Sequence, residues 1–272
     1  MLKSLKPAIL RLLPSSVVTR LKRLYYPRLV KNFDPSRWPC SAAVRPLIRP
    51  GDTVIDVGAN IGYITGLFAR WVGSSGHVHA FEPVPETFAL LEHNVCSARW
   101  AHVSLYATAL SDASGHALMG IPTYSKGGEN LYESHLLEGS GAAPDGERPV
   151  SVERATLDSL PFRIEGRLAL IKIDVEGHEA AVVRGALNLI EAHRPALVIE
   201  VNADPDEPES SASEMFRQLQ SFGYSVYLPT TDGIRLRQPG ERGVDYLFLT
   251  SEQADSASVK SVVKATSEPK RI

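Results

Sequence analysis

Carboxylates follow apolar, strand-like runs in this sequence, and two glycines accompany the first of them. The run Thr53–Val57 contains Asp56 near its end, and Gly58 and Gly62 follow before a helical pattern begins. Glycine allows a tight turn that brings backbone close to a ligand, and free N–H groups at a helix start favour a carboxylate or phosphate. The carboxyl ends of strands are where open α/β sheets bind ligands. The stretch therefore predicts a nucleotide-like ligand with a positive group beside Asp56 and a negative group at the turn.

A second carboxylate, Glu82, lies twenty positions after Gly62 and directly after the apolar run His77–Phe81. A carboxylate at this place accepts hydrogen bonds from ribose hydroxyls in dinucleotide sites. The turn, however, reads Gly58-Ala59-Asn60-Ile61-Gly62, which differs from the dinucleotide spacing G-x-G-x-x-G. Asp56 would also repel a pyrophosphate, whereas it would attract an ammonium or a sulfonium. A ribose with a cationic amino-acid tail describes S-adenosylmethionine, and we predict this cofactor.

Further carboxylates follow the fourth core run, and they suggest proton chemistry. Methyl transfer to oxygen is an in-line displacement in which the enzyme aligns the acceptor and removes its proton. Asp174 ends the run that begins at Leu168, so it is the first catalytic candidate. His178, which titrates near neutrality when unperturbed, and Glu176 are the other two. A helix is predicted from Gly177, so Glu176 could instead only favour the positive end of that helix, and His178 could be an ordinary residue of its first turn. Both alternatives stay open.

We do not predict a metal ion at the carboxyl ends of the core strands, although the residues there leave it as an alternative. Magnesium prefers hard oxygen ligands, and Asp174, Glu200 and Asn202 offer them at the ends of the fourth and fifth core strands. Oxygen ligands without further geometry are not specific for an ion. We therefore expect activity without a metal, and these three residues would be the ligands if that expectation is wrong.

Five strand-like runs that alternate with helical patterns position these residues, and two further runs close the sheet. This alternation predicts a doubly wound α/β sheet. We expect about seven strands, mostly parallel with an antiparallel closing strand. The predicted strands are Thr53–Val57, His77–Phe81, Val103–Leu110, Leu168–Asp174, Pro195–Val201, Tyr224–Leu228 and Val244–Thr250.

The predicted catalytic domain spans residues 51–250. Three regions differ from its strand and helix pattern in composition: one is an insertion within the domain, and the other two flank it. Residues 114–150 are rich in Gly, Ser and turn residues. We interpret them as an insertion of loop and hairpin whose Thr123–Tyr132 segment lies beside the acceptor. Residues 1–50 form a basic helical arm, which either packs on the domain or lies on an anionic membrane surface. The tail, residues 251–272, has the composition of a disordered segment.

The overall composition is that of an ordinary globular protein. A net charge of −2 over 272 residues gives no global attraction to nucleic acid or to a membrane. The two cysteines fit a reducing compartment. No apolar run approaches the roughly 20 residues that a spanning helix needs. We therefore expect a cytoplasmic protein without a nucleic-acid partner, with peripheral contact to the inner face of the membrane through the arm as the alternative. The oligomeric state is not predicted.

Several stretches resemble, in chain order, the motifs of FkbM-type methyltransferases. They are Gly51–Tyr63, Phe81–Pro83, Ala109–Asp112, Thr156–Asp158, Ile171–Glu179 and Arg184–Ala186. The resemblance implies a class I, Rossmann-like methyltransferase fold and O-methylation of a small-molecule or sugar-bearing acceptor. It places cofactor contacts at eight positions: Asp56, Gly58, Ala59, Asn60, Gly62, Glu82, Ser111 and Asp112.

Each part of the cofactor has an expected partner in that set. Glu82 is expected to hold the ribose, Asp112 to accept from the adenine amino group, and the N–H groups from Gly58 to Gly62 to bind the methionine carboxylate. Two other functions stay open. The turn spacing argues against a nucleotide-dependent oxidoreductase, and acids on both the cofactor and acceptor sides argue against a non-catalytic S-adenosylmethionine-binding protein. The acceptor is not predicted beyond a small molecule or a glycan.

Overall fold

The computed structural model describes residues 15–123, 134–137, 144–230 and 233–263. Strands are numbered in chain order. The main sheet has eight: β1 (Thr53–Val57), β2 (His77–Phe81), β3 (Val103–Tyr106), β8 (Leu168–Ile173), β9 (Ala196–Glu200), β10 (Tyr224–Thr230), β11 (Gly233–Leu236) and β12 (Asp245–Thr250). The second sheet has four: β4 (Thr108–Leu110), β5 (Gly115–Pro122), β6 (His135–Leu136) and β7 (Glu147–Ala155).

The main sheet has the strand order β11-β10-β12-β9-β8-β1-β2-β3. The five neighbouring strands β3, β2, β1, β8 and β9 are parallel to one another, whereas β12 runs antiparallel to both β9 and β10. Every residue of the central strands β1 and β8 is buried, which explains their continuous apolar runs, since helices cover both faces of such strands. The predicted doubly wound sheet with an antiparallel closing strand is confirmed, and β11 extends it by one edge strand.

Helices cover both faces of the main sheet. They are α1 (Ser15–Lys31), α2 (Ser41–Val44), α3 (Tyr63–Val72), α4 (Pro85–Ala98), α5 (Glu179–Arg184), α6 (Leu187–His193), α7 (Ser211–Ser221), α8 (Ser251–Asp255) and α9 (Ala257–Lys260). One apolar core lies between the sheet and the helices α5 to α7, and another lies between the sheet, α3 and the segment before β1. Helix α1 packs on α4 and α3. No helix in the described ranges is long and apolar enough to span a membrane.

The predicted third strand, Val103–Leu110, is wrong in one respect: it is two strands. The chain leaves the main sheet at Ala107, and Thr108–Leu110 instead pairs in parallel with Glu153–Ala155 of the second sheet. Strands β5 and β7 form the long antiparallel pair of that sheet. The carboxyl end of β3 is therefore Tyr106, not Leu110. The predicted acceptor segment falls largely on residues 124–133, outside the described part of the chain.

The expectation of a disordered tail from residue 251 is also wrong as far as residue 263. Thr250 begins α8 with a capping box, in which its hydroxyl accepts from the N–H of Gln253 while the Gln253 side chain accepts from the N–H of Thr250. Val259 is buried, and Val263 bridges to Ile234 of β11. Two apolar anchors and a reciprocal cap thus order a segment whose composition is polar. Residues 264–272 are outside the described ranges.

Candidate functional site

A cavity of about 260 Å³ opens at the carboxyl ends of β1, β2, β8 and β9. The second sheet closes one side of it with Met119, Ser134 and Leu136. Six of the residues predicted for the site line this cavity: Gly58, Asn60, Glu82, Asp174, Glu176 and His178. Strand ends of an open α/β sheet are the expected place for a ligand, so the cavity is the candidate active site.

Gly58 brings the turn after β1 against the end of β8. Its φ is +75°, and a Cβ there would lie 1.8 Å from the carbonyl oxygen of Asp174. No side chain fits such a contact, so glycine is needed for both the conformation and the space. Asn60 follows with a φ of +50°, and its side-chain oxygen accepts from the N–H of Ile61 at 2.8 Å. Together these residues fix the floor of the cavity.

The N–H groups of this turn are already used within the protein. Those of Gly58 and Ala59 both donate to the carbonyl oxygen of Phe81, at 3.0 and 2.9 Å. Gly62 donates to the carbonyl oxygen of Ala59 at 2.9 Å, while Asn60 and Ile61 donate to side chains. Binding of the methionine carboxylate by these five groups stays a prediction, and it would compete with these internal hydrogen bonds. Ala59 and Gly62 shape the turn from outside the cavity wall.

Glu82 is buried and faces the cavity from the end of β2. Its two carboxylate oxygens accept from the N–H groups of Asn60 at 3.0 Å and Val84 at 2.9 Å. Burial raises the pKa of Glu82 to about 7, against these two hydrogen bonds, which favour the charged form. Its orientation is thus fixed on both sides, and each carboxylate oxygen keeps acceptor capacity for a ligand hydroxyl.

Asp56 is not among the residues that line the cavity, and its contact with the cofactor stays a prediction. Its side chain is fully buried, one oxygen accepts from the Thr65 hydroxyl at 2.6 Å, and the other lies 3.4 Å from Lys172 Nζ. Lys172 also lies 3.1 Å from Asp174. Burial opposes the charge on Lys172, but both carboxylates more than offset it and raise its pKa. We call Asp56, Lys172 and Asp174 the buried ion cluster.

Three acidic side chains meet on the opposite side of the cavity from Glu82. Carboxylate oxygens of Asp174, Glu176 and Glu200 all lie within 4.8 Å of one another. Glu176 has a φ of +53°, a conformation in which non-glycine residues are uncommon. The sequence indicated Asp174 and Glu176 as catalytic candidates, and Glu200 as a residue of the acceptor pocket or, less favoured, a metal ligand. Its place at the end of β9 was the available signal. Asn202 is exposed and is not among the lining residues.

Glu200 has the electrostatic properties of a proton acceptor near neutrality. Burial and neighbouring carboxylates, chiefly those of Asp174 and Asp245, raise its pKa to about 7. Asp245 lies opposite Glu200 in the pairing of β12 with β9. Burial raises the pKa of Asp245 as well, while a hydrogen bond from the Cys40 thiol opposes that shift. The sequence did not indicate Asp245 or its contact with Glu200, because the two positions are far apart in the chain.

Ser111 and Asp112 are not among the residues that line the cavity, and their contact with the cofactor stays a prediction. Asp112 accepts from two guanidinium nitrogens of Arg184, at 3.0 and 2.8 Å. A Cβ on Gly185 would lie 1.9 Å from the carbonyl oxygen of Ser111. We call Ser111, Asp112, Arg184 and Gly185 the Asp112–Arg184 clamp. The departure of the chain from the main sheet at Ala107 explains this placement.

His178 connects the clamp to the cavity. Its Nε2 lies 2.9 Å from the hydroxyl of the fully buried Ser111, and its ring lines the cavity. A histidine held in this way can position a ligand group or relay a proton. His178 as a catalytic residue and Ser111 as a cofactor contact both stay predictions, and the Ser111 hydroxyl also positions the His178 ring.

The residues present fit S-adenosylmethionine in two respects. Glu82 presents a buried carboxylate to the cavity, as ribose hydroxyls require, and Gly58 permits a close approach of backbone. Besides apolar residues, the wall carries four acidic side chains, those of Glu82, Asp174, Glu176 and Glu200. The charge of Lys172 behind it is shared between two carboxylates. Such a wall suits a ligand with a sulfonium and an ammonium group. The oxygen atoms of Asp174, Glu176 and Glu200 are also of the type that magnesium prefers.

Comparison with known proteins agrees with the resemblance to FkbM-type methyltransferases. The model of the methyltransferase FkbM domain matches residues 56–226. The chain is 31% identical over 201 residues to 31-O-demethyl-FK506 methyltransferase FkbM of Streptomyces tacrolimicus, covering 66% of this chain and 75% of that protein. It is 29% identical over 171 residues to the hexuronic acid methyltransferase AglP of Haloferax volcanii, covering 60% and 62%.

Among solved structures, the methyltransferase FkbM of Methylobacillus flagellatus KT is similar at 14% identity with a TM-score of 0.44. The match covers 86% of this chain and 60% of that chain.

Proposed function

Because the chain belongs to the FkbM methyltransferase family, whose members depend on S-adenosylmethionine, we propose that it methylates a hydroxyl oxygen on a sugar or another small molecule. One observation carries the oxygen specificity. The cavity has a buried carboxylate for a ribose on one side and, on the other, three carboxylates of which Glu200 has a pKa of about 7. The relatives, whose names describe an O-methylation and a uronic acid substrate, support this choice.

On the cofactor side, Glu82 binds and orients. When bound, S-adenosylmethionine supplies an electrophilic methyl group. Glu82 accepts hydrogen bonds from ribose hydroxyls, and the N–H groups of Asn60 and Val84 hold its carboxylate in place. Gly58 keeps the cavity floor open. The five N–H groups from Gly58 to Gly62 already donate within the protein, so binding of the methionine carboxylate by them stays a prediction.

On the acceptor side, Glu200 takes the proton from the acceptor hydroxyl as the oxygen–methyl bond forms and the sulfur–methyl bond breaks. A general base is most effective when its pKa lies near the working pH, and Glu200 meets this condition. Lys172 holds Asp174 beside Glu200, so Asp174 orients the acceptor hydroxyl. Glu176 and His178 complete the wall and contact other polar groups of the acceptor.

The experiment that tests the function is a screen of acceptors. Purified protein is mixed with S-adenosylmethionine and panels of uronic acids, neutral sugars and hydroxylated natural products, and S-adenosylhomocysteine release is measured. Mass spectrometry then identifies the methylated oxygen. Methylation at nitrogen or carbon would contradict the proposal. Calorimetry with S-adenosylmethionine and NAD in parallel distinguishes a methyltransferase from an oxidoreductase.

The pH dependence of turnover tests Glu200 as the base. Since only the ionised form accepts a proton, kcat is expected to rise about tenfold per pH unit below pH 7 and to level off above it. Glu200→Gln is expected to lower kcat by about 10²- to 10⁴-fold with little change in cofactor affinity. A Glu200→Gln variant that retains the wild-type pH profile would remove Glu200 from this role.

We propose that no metal is required. If this is wrong, Asp174, Glu176 and Glu200 are the ligands, because their oxygens meet within 4.8 Å. Turnover after exhaustive treatment with EDTA is expected to equal that of untreated protein. Loss of turnover with EDTA that magnesium restores would contradict the proposal.

A further inference from the structure

The outward face of α1 carries basic and apolar side chains. Leu24 is 69% exposed and Val17 is 40% exposed, and Arg20, Arg28 and Lys31 are exposed as well. These five positions fall on one face of the helix, because residues three, four and seven apart share a face. Within the described residues, no hydrogen bond or ion pair engages the side chains of these three basic residues. The face therefore presents positive charge around an uncovered leucine.

The opposite face of α1 fixes the helix to the domain. Val30 is fully buried, and its carbonyl oxygen lies 3.1 Å from where a Cβ on Gly66 of α3 would be. The His93 ring of α4 lies 2.9 Å from the carbonyl oxygen of Arg23. The outward face is thus held in one orientation, and Leu24 cannot be covered by turning the helix over.

Charge is distributed unevenly along the chain. Eight of the 29 Lys and Arg residues lie in residues 1–33, and none of the 31 Asp and Glu residues does. The rest of the chain has 21 basic against 31 acidic residues and a formal net charge of −10. An anionic partner is therefore attracted to the arm and repelled by most of the remaining surface.

We propose that the outward face of α1 binds an anionic membrane surface, with Leu24 in the headgroup region and Arg20, Arg28 and Lys31 against the lipid phosphates. Amphipathic helices with basic residues around apolar ones lie in this way at membrane interfaces. A nucleic acid would match the charge but would give Leu24 and Val17 no apolar environment. The surface is independent of the active-site cavity.

The test is sedimentation of the full chain with vesicles. Binding is expected to vesicles of phosphatidylglycerol and phosphatidylcholine and not to phosphatidylcholine alone. A basic residue near such a surface contributes about fivefold to binding, so Arg20→Gln/Arg28→Gln is expected to weaken it about 25-fold. Leu24→Gln is expected to weaken it roughly tenfold. Higher salt weakens binding in the wild type.

Matched controls separate this surface from charge and apolarity in general. Arg163→Gln/Arg217→Gln removes two exposed arginines elsewhere, and Leu236→Gln alters an apolar residue that is 41% exposed. These variants are expected to bind vesicles as the wild type does. Equal binding by the α1 and control variants would overturn the proposal. So would binding of duplex DNA or RNA that needs Arg20 and Arg28 when vesicles do not bind.

Discussion

The buried ion cluster and the Asp112–Arg184 clamp are built from the same parts. Each joins a basic residue to an acid from another segment, Lys172 to Asp56 or Arg184 to Asp112. Each stands beside a glycine where a Cβ would lie within 2 Å of a carbonyl oxygen. They differ in burial. The side chain of Lys172 is 6% exposed and that of Arg184 is 38% exposed.

This difference separates a charge arrangement that supports a ligand site from one that only joins segments. The buried ion cluster lies directly behind the cavity and holds Asp174 in its wall. The clamp fastens the turn after β4 to the end of α5 and contributes no residue to the wall apart from its contact with His178. Burial, and not the type of residue, therefore decides which ion pair matters most for stability and for binding.

The largest effect is expected from removing the buried cation. Lys172→Met leaves Asp56 and Asp174 without their shared cation, and loss of one member of a buried ion pair costs about 3–5 kcal/mol. Urea unfolding measures the change in the free energy of unfolding. The double variant Asp56→Asn/Lys172→Met is the control, and it is expected to recover part of the loss. A change below 1 kcal/mol for Lys172→Met would show that the cluster is not a stabilising unit.

The two glycines provide a second, smaller test of the comparison. Gly58→Ala and Gly185→Ala each force a Cβ onto a carbonyl oxygen, so both are expected to lose about 1–3 kcal/mol of stability. Only Gly58→Ala is expected to weaken S-adenosylmethionine binding, because only Gly58 lines the cavity. Calorimetry at a temperature where both variants are folded measures that affinity. An equal loss of affinity in the two variants would show that both regions support cofactor binding, which would contradict the distinction between them.

The carboxylates Glu82 and Asp112 are the next matched pair. Glu82→Gln is expected to weaken S-adenosylmethionine binding about 10- to 100-fold, since hydrogen bonds to a charged group contribute about 1.5–3 kcal/mol. Asp112→Asn is expected to leave the affinity within twofold. Because burial raises the pKa of Glu82 to about 7, wild-type affinity is expected to fall as the pH drops below 7, by up to tenfold per unit.

Calorimetry between pH 5.5 and 8.5 records this dependence, which Glu82→Gln is expected to remove. The approximate pKa of Glu82 equals that of Glu200, but the two act on different quantities: Glu82 on the dissociation constant and Glu200 on kcat. A larger loss of affinity in Asp112→Asn than in Glu82→Gln would support the predicted hydrogen bond between Asp112 and the adenine amino group.

The sequence predicted the central strands and the position of Glu82 at the end of β2, because local patterns determine them. The ribose contact of Glu82 stays a prediction. Buried parallel strands require continuous apolar runs, and an acid directly after β2 has few other reasons to be buried. The sequence did not predict that the chain changes sheets at Ala107, because no Gly or Pro interrupts Val103–Leu110 and the partner of Thr108–Leu110 lies more than forty residues later. This change of sheet also determines where Ser111 and Asp112 lie, directly after β4 and not at the end of a strand of the main sheet.

A similar limit applies to charges. Asp56 and Lys172 are far apart in the sequence, so their contact follows only from the pairing of β1 with β8. The sequence indicated a carboxylate at the ligand edge but not that a lysine already neutralises it. The raised pKa of Glu200 was not predicted for the same reason. It depends on Asp174 and Asp245, which other segments of the chain bring close to Glu200.

The smallest effect is expected from the clamp. Arg184→Met breaks an ion pair whose two side chains are 38% and 39% exposed, and such pairs contribute at most about 1 kcal/mol. Urea unfolding is expected to show a loss no larger than that, and affinity for S-adenosylmethionine is expected to be unchanged. Raising the salt concentration would shrink the difference from wild type further, because solvent screens exposed charges. A loss of unfolding free energy close to that of Lys172→Met would mean that the clamp supports the cavity wall through Ser111 and His178. Burial would then no longer distinguish the two regions.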